Sequence, residues 1–196
     1  MHAVNITGYI KSLCKALTVY WLSIIIFENQ RLYIMKKLLF GLLFLLAAYT
    51  TRAQNKSVDQ ITSAYIGVKN ALVGSNATLA KSRAKELLAA LAIPPTGLTA
   101  AQQKLAGSYA DKLKADSRGI SQATDIEQQR KYFETLSANM YSLLSGLQMN
   151  GTTLYQQYCP MKKAAWLSES EDIRNPYYGD KMLECGTVKA TLKAAK

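Results

Sequence analysis

Two short motifs carry the sulfur chemistry of this sequence: Cys159-Pro160-Met161 and Met182-Leu183-Glu184-Cys185. Each pairs one thiol with one thioether. Both are soft donors, which favour Cu(I) and similar ions over hard cations. Pro160 fixes the backbone between Cys159 and Met161, so both sulfurs can sit on one side of an extended or turn segment. Met182 and Cys185 are three residues apart, one helical turn on a common face. If the segment folds back on itself, the four sulfurs converge. Trp166 or Tyr177 can then cover the ion, because a cation sits favourably on an aromatic face. This pattern predicts a soft-metal site for Cu(I) or Ag(I) built from Cys159, Met161, Met182 and Cys185.

A disulfide competes with that reading. A pair of cysteines in an exported chain most often forms a bridge. Joining Cys159 to Cys185 would stabilise the fold by roughly 3–4 kcal/mol in the chain-entropy view, and the methionines would then serve as packing. Other chemistries are poorly supplied. The one histidine is His2, so beyond the N-terminus there is no Ser-His or Cys-His pair and no histidine-based zinc site. No Gly-rich phosphate loop is present. Glu169, Glu171 and Asp172 cluster, but Ser168 with Glu171 reads as the capping box of a short helix, with Arg174 paired to a nearby carboxylate. The sequence predicts a binding protein, not an enzyme.

The elements that must position the sulfurs are helical. Val58, Ile61, Tyr65, Val68 and Leu72 form one apolar stripe at helical spacing, with Ser57 and Gln60 as a capping box and Gly74 as the stop. A second helix runs from Ala77 to Ala92, with Ala80, Ala84, Leu87, Leu88 and Leu91 on one side. Pro94 and Pro95 end it. Thr99 with Gln102 caps a third helix carrying Leu105, Tyr109 and Leu113, which ends near Asp116 to Gly119. Thr124 with Glu127 caps a fourth, whose stripe is Ile126, Phe133, Leu136, Met140, Leu143, Leu144 and Leu147. Met140 is assigned to packing. Four amphipathic helices with short connections imply an all-α, antiparallel four-helix bundle. From Gly151 the helical period is lost, and 151–196 reads as an irregular Cys/Met-containing segment packed on the bundle of 54–150. Specific residue types concentrated in a loop mark where function resides. Asn175, Pro176 and Gly179 read as turn residues.

The N-terminus reads as targeting. Met35-Lys36-Lys37, the apolar run from Leu38 to Tyr49 and the small residues Thr51 and Ala53 have the layout of a secretory signal peptide over 35–53, cleaved after Ala53. Its apolar run is short for a bilayer span. Residues 1–34, with a second short apolar run from Ala16 to Phe27, read as the product of a mis-assigned start, a membrane anchor being the alternative. Cleavage would take away six Lys/Arg and one acid, lowering the net charge from +11 to +6. The remaining lysines are scattered, which argues for solvated helix faces and against nucleic-acid binding. No membrane span is expected in the mature chain, which would reside in the periplasm of a Gram-negative envelope.

The C-terminal segment resembles a known family. Cys159–Met161, Trp166–Ser168, Ile173–Gly179, Lys181–Leu183 and Cys185–Gly186 match the ending of a bacterial domain-of-unknown-function family. That family occurs as small exported proteins and fused to periplasmic adaptor subunits of heavy-metal efflux systems. The helical part resembles it through Asp125, Gln129, Arg130, Phe133, Leu136 and Ser137. The resemblance implies a role in copper or silver homeostasis and an efflux adaptor, or another envelope protein, as partner. It raises the metal reading to stand level with the disulfide. The two are compatible, since a thiol pair can bind metal when reduced and bridge when oxidised. Without metal, a surface made of Trp166, Tyr177 and Tyr178 would dock on that partner. Lys162 and Lys163 stand where the family often has a Gly-rich stretch, and two positive charges there would weaken cation binding.

Overall fold

The computed structural model describes residues 56–195, all within one unit spanning Thr51–Lys196. The readings made for 1–53 lie outside the described residues. Four α-helices follow in chain order: α1 over 56–73, α2 Ala77–Leu91, α3 Ala100–Gln122 and α4 Ile126–Leu147. Among the described residues no helix is long and apolar enough to cross a membrane.

Capping chemistry sets most helix ends. Thr99 and Gln102 form the reciprocal box, each side chain satisfying the other's backbone N–H. Asn76 caps α2 by accepting from the Leu79 N–H. At α4 the cap is Asp125, accepting from the Gln128 N–H, one residue beyond the expected Thr124. Ser57 corrects its own prediction: it lies inside α1, and its Oγ is buried without a partner. The turn after α1 takes its left-handed residue at Ser75 (φ 50°), not at Gly74, and the Asn76 N–H then closes on Ala71 O at 3.0 Å. The stripe residues of α1 and α4 form the core, with Tyr65, Leu72, Phe133, Leu136 and Met140 all at 0% exposure.

The all-α expectation is corrected downstream of Gly151. Leu154–Cys159 (β1), Ala164–Ser168 (β2) and Thr187–Leu192 (β3) form an antiparallel sheet in the order β2-β1-β3. The architecture is therefore mixed, a helical core followed by a small sheet. Ser168 closes β2 and begins no helix; its Oγ accepts from the Ser170 N–H. Arg174 is exposed and makes no ion pair among the described residues. Strands of five or six residues are too short to show a clear alternating pattern in the sequence. β2 also buries nearly every residue, so it does not alternate.

Tyrosine hydroxyls from α1 and from the turn at 176–178 seal the outer edge of β2. The Tyr65 hydroxyl accepts from the Leu167 N–H at 3.0 Å and shares a 2.8 Å hydrogen bond with Ser137. The Tyr177 hydroxyl donates to Ala165 O at 2.7 Å. Tyr65 stacks on Phe133 (5.4 Å between centroids), Phe133 meets Tyr177 (5.8 Å), and Tyr177 meets Trp166 edge-on (5.9 Å). This aromatic row joins α1 and α4 to the sheet.

Candidate functional site

Cys159 is the last residue of β1 and is fully buried. A four-residue turn, Pro160 to Lys163, leads into β2 and is closed by the Lys163 N–H donating to Cys159 O at 2.8 Å. Lys163 adopts a left-handed conformation (φ 58°) to make it. Cys185 lies two residues before β3 and is half-buried. Antiparallel pairing of β1 with β3 places Tyr158 opposite Thr187, so the two cysteines arrive side by side. Their Sγ atoms are 3.2 Å apart, and both are free thiols.

Asn175 frames this pair. Its Nδ2 donates to Cys185 O at 2.8 Å, and its Oδ1 accepts from the Tyr177 N–H at 2.9 Å. Its own N–H donates to Leu183 O, and its carbonyl accepts from the Gly179 N–H. One buried asparagine thereby closes the loop from 175 to 185 on both sides. Arg130 anchors the loop to the helices. The guanidinium is 4% exposed and donates to Pro176 O (2.9 Å), Leu72 O (3.3 Å), Ser75 Oγ (3.0 Å) and Glu127 Oε1 (2.8 Å). Gly179 passes so close to Ser75 and Arg130 that a Cβ there would collide with both, and its φ of 55° also favours glycine.

The two thiols differ electrostatically. Burial pushes the Cys159 thiol up. Hydrogen bonds from the Lys162 backbone, the Cys185 thiol, the Asn175 side chain and the Met161 backbone outweigh it and hold Cys159 below the ordinary thiol value. Cys185 is raised, chiefly because its proton is shared with Cys159, then by burial and by the neighbouring thiolate's charge. Of the two, Cys159 loses its proton at the lower pH, and thiolate is the form that ligates metals and attacks disulfides. Lys162 does not add a bare charge, since its Nζ pairs with Glu134 Oε2 at 3.1 Å.

Of the four predicted sulfurs, the structure thus brings the two thiols together. Met161 directs its backbone N–H to both sulfurs, while its side chain is 65% exposed. Met182 is half-buried and follows a single 3-10 turn, Gly179–Lys181; its carbonyl accepts from the Cys185 N–H at 3.1 Å. The expected helical Met-x-x-Cys is therefore a turn. No cluster of three or more His, Cys, Asp or Glu suited to a metal occurs among the described residues. Trp166 and Tyr177 are 1% and 3% exposed and belong to the core beneath the site. Neither offers a docking surface, and Tyr178 is half-buried. Trp166 lies against the residue after Cys185: a Cβ on Gly186 would stand 2.9 Å from its Cη2.

Motif and spacing alone mark neither Arg130 nor Asn175 as a site residue. Arg130 carried a signal nonetheless. It stands four residues after Ile126 and three before Phe133, a charged residue on the apolar stripe of α4. In the sequence Asn175 reads only as a turn residue, and nothing local distinguishes it from any other Asn-Pro.

Residues 61–152 match the family model described as a protein of unknown function, DUF3347. The match spans α1 from Ile61 through α4 and stops before β1. Arg130 therefore falls inside the DUF3347 match, and both cysteines fall outside it. Neither the curated proteins nor the solved structures gave a match.

Proposed function

We propose that this protein binds a soft monovalent cation, Cu(I) or Ag(I), at the Cys159–Cys185 pair, as a non-enzymatic component of metal efflux or homeostasis in the periplasm. The observation that carries the reading is the pair itself: two unbridged thiols 3.2 Å apart, one of them held below the ordinary thiol pKa by the hydrogen bonds it receives. Thiolates select Cu(I)-like ions, and a lowered thiol pKa reduces the competition between proton and metal. Met161 and Met182 lie between the two cysteines in sequence, each within three residues of one of them, and would add thioether contacts on turning inward. The signal-peptide pattern of 35–53 supports export. The resemblance of the C-terminal ending supports the link to efflux and to an adaptor subunit as partner.

The same 3.2 Å separation supports a second reading, a Cys159–Cys185 disulfide in a structural or interaction module of the envelope. The readings part under reducing conditions. Reduced protein titrated with Cu(I) against a competing chelator should take up one equivalent. Cys185→Ser should abolish that uptake, and replacing both methionines by alanine should weaken it. No uptake above the chelator background ends the metal reading and leaves the disulfide.

A further inference from the structure

A second recess lies among the helices and shares no residue with the thiol site. It encloses about 410 Å³ between α1, α3, α4 and the connection from α2 to α3. That falls within the range of about 300–1,000 Å³ common to small-molecule pockets. Ile61, Leu113 and Leu143 form its buried floor. Ile93, at 63% exposure, stands at the rim. The wall supplied by α3 is pared down at Gly107, where an added Cβ would meet nothing within 4 Å. A glycine inside a helix is destabilising relative to alanine, and here no neighbour's close approach demands it. Gly107 lines the recess and is itself exposed, so a bulky side chain there would stand at the mouth of the recess.

Only one charged residue lines this apolar space, Lys114. It is half-buried and has no ion-pair partner among the described residues. The nearest acids along α3 do not neutralise it. Asp116 is engaged by Thr135 and Asn139, and Asp111 is exposed and outside the lining. An apolar slot with a single cation matches an apolar chain ending in an anion.

We infer that this recess binds a free single-chain aliphatic carboxylate, the tail among Ile61, Leu113 and Leu143 and the carboxylate at Lys114. The inference is independent of the thiol site. Its test is displacement of a dansyl-labelled fatty acid from the full chain by dodecanoate, followed by fluorescence. Saturable displacement is expected, unchanged in Cys159→Ser. Gly107→Leu meets no neighbour and removes a helix-interior glycine, so it should fold; with its side chain at the mouth of the recess it should weaken binding by about tenfold. Lys114→Met should weaken dodecanoate by about three- to tenfold, as for a partly exposed ion pair, and leave dodecanol unchanged. Absence of saturable binding overturns the proposal. So does Gly107→Leu binding as tightly as the parent while melting no lower. If light scattering shows a dimer that Gly107→Leu dissolves, the recess is instead a self-association surface, which likewise overturns it.

Discussion

The helices and the C-terminal sheet region hold their backbones in different ways. In α2 to α4, main-chain groups are satisfied within each helix, and the ends are tied by side chains one turn away, as at Asn76, Thr99 and Asp125. In 151–195, side chains hold backbone that is distant in sequence. Gln157 donates to the carbonyls of Ser170, Glu171 and Asp172. Asn150, just before this region, reaches Leu192 and Lys193 at its far end, and Asn175 closes the loop before Cys185. Arg130 crosses from one region to the other. The helices thus form from local rules, whereas the thiol site exists only where several long-range bonds are made together. Substitutions at the crossing points should damage the second region more than the first.

The largest effect is expected at Arg130. Arg130→Met strands the buried Pro176 carbonyl and removes the charged tie from the loop to α1, costing about 2–3 kcal/mol. Urea unfolding measures the loss, and hydrogen exchange should show residues 175–185 opening before α3. If α3 and the loop open together, the two regions are not separable in this way. Gly186→Ala places a methyl 2.9 Å from Trp166 and 3.0 Å from Ile173, so about 1–3 kcal/mol should be lost to overpacking. Altered Trp166 fluorescence should accompany it, with the helical circular dichroism retained.

Tyr65→Phe removes the hydroxyl that accepts from Leu167 N–H. A loss of about 1–2 kcal/mol is expected, with faster exchange of the Leu167 amide. Lys163→Gly should work in the opposite direction, because it relieves a left-handed residue in the β1–β2 turn. A gain of about 0.5–1 kcal/mol in the denaturant midpoint analysis is expected.

The reduced thiols give a pH signature. Cys159 is held below the ordinary value of 9.0, so its contribution is complete above that value and fades as pH falls through its folded pKa. Cys185 is raised, so its contribution is complete below 9.0 and is lost as pH rises through its folded pKa. Stability of the reduced protein, followed by urea unfolding across the thiol range, should crest near 9.0, and the crest should vanish when both cysteines are serine.

The sequence made the helices legible because their signals are local. The α4 stripe is buried as expected, apart from the half-buried Ile126, and the Thr99–Gln102 box forms as expected. Where two polar residues compete for one cap, local rules slip by one position, as between Thr124 and Asp125. The sheet was hidden because β1 and β2 are held by partners outside their own sequence, among them the hydroxyls of Tyr65 and Tyr177. At the site, the sequence foresaw that Cys159 and Cys185 would meet. It could not foresee that Met161 would turn outward, because the direction of that side chain is set by the turn closing on Cys159 O.

X-ray absorption at the copper edge of Cu(I)-loaded, reduced protein tests the central claim most directly. The account predicts a shell made of sulfur, with two short thiolate distances, that disappears when Cys159 and Cys185 are both serine. A shell of nitrogen or oxygen, or a sulfur shell that survives the double substitution, would contradict it.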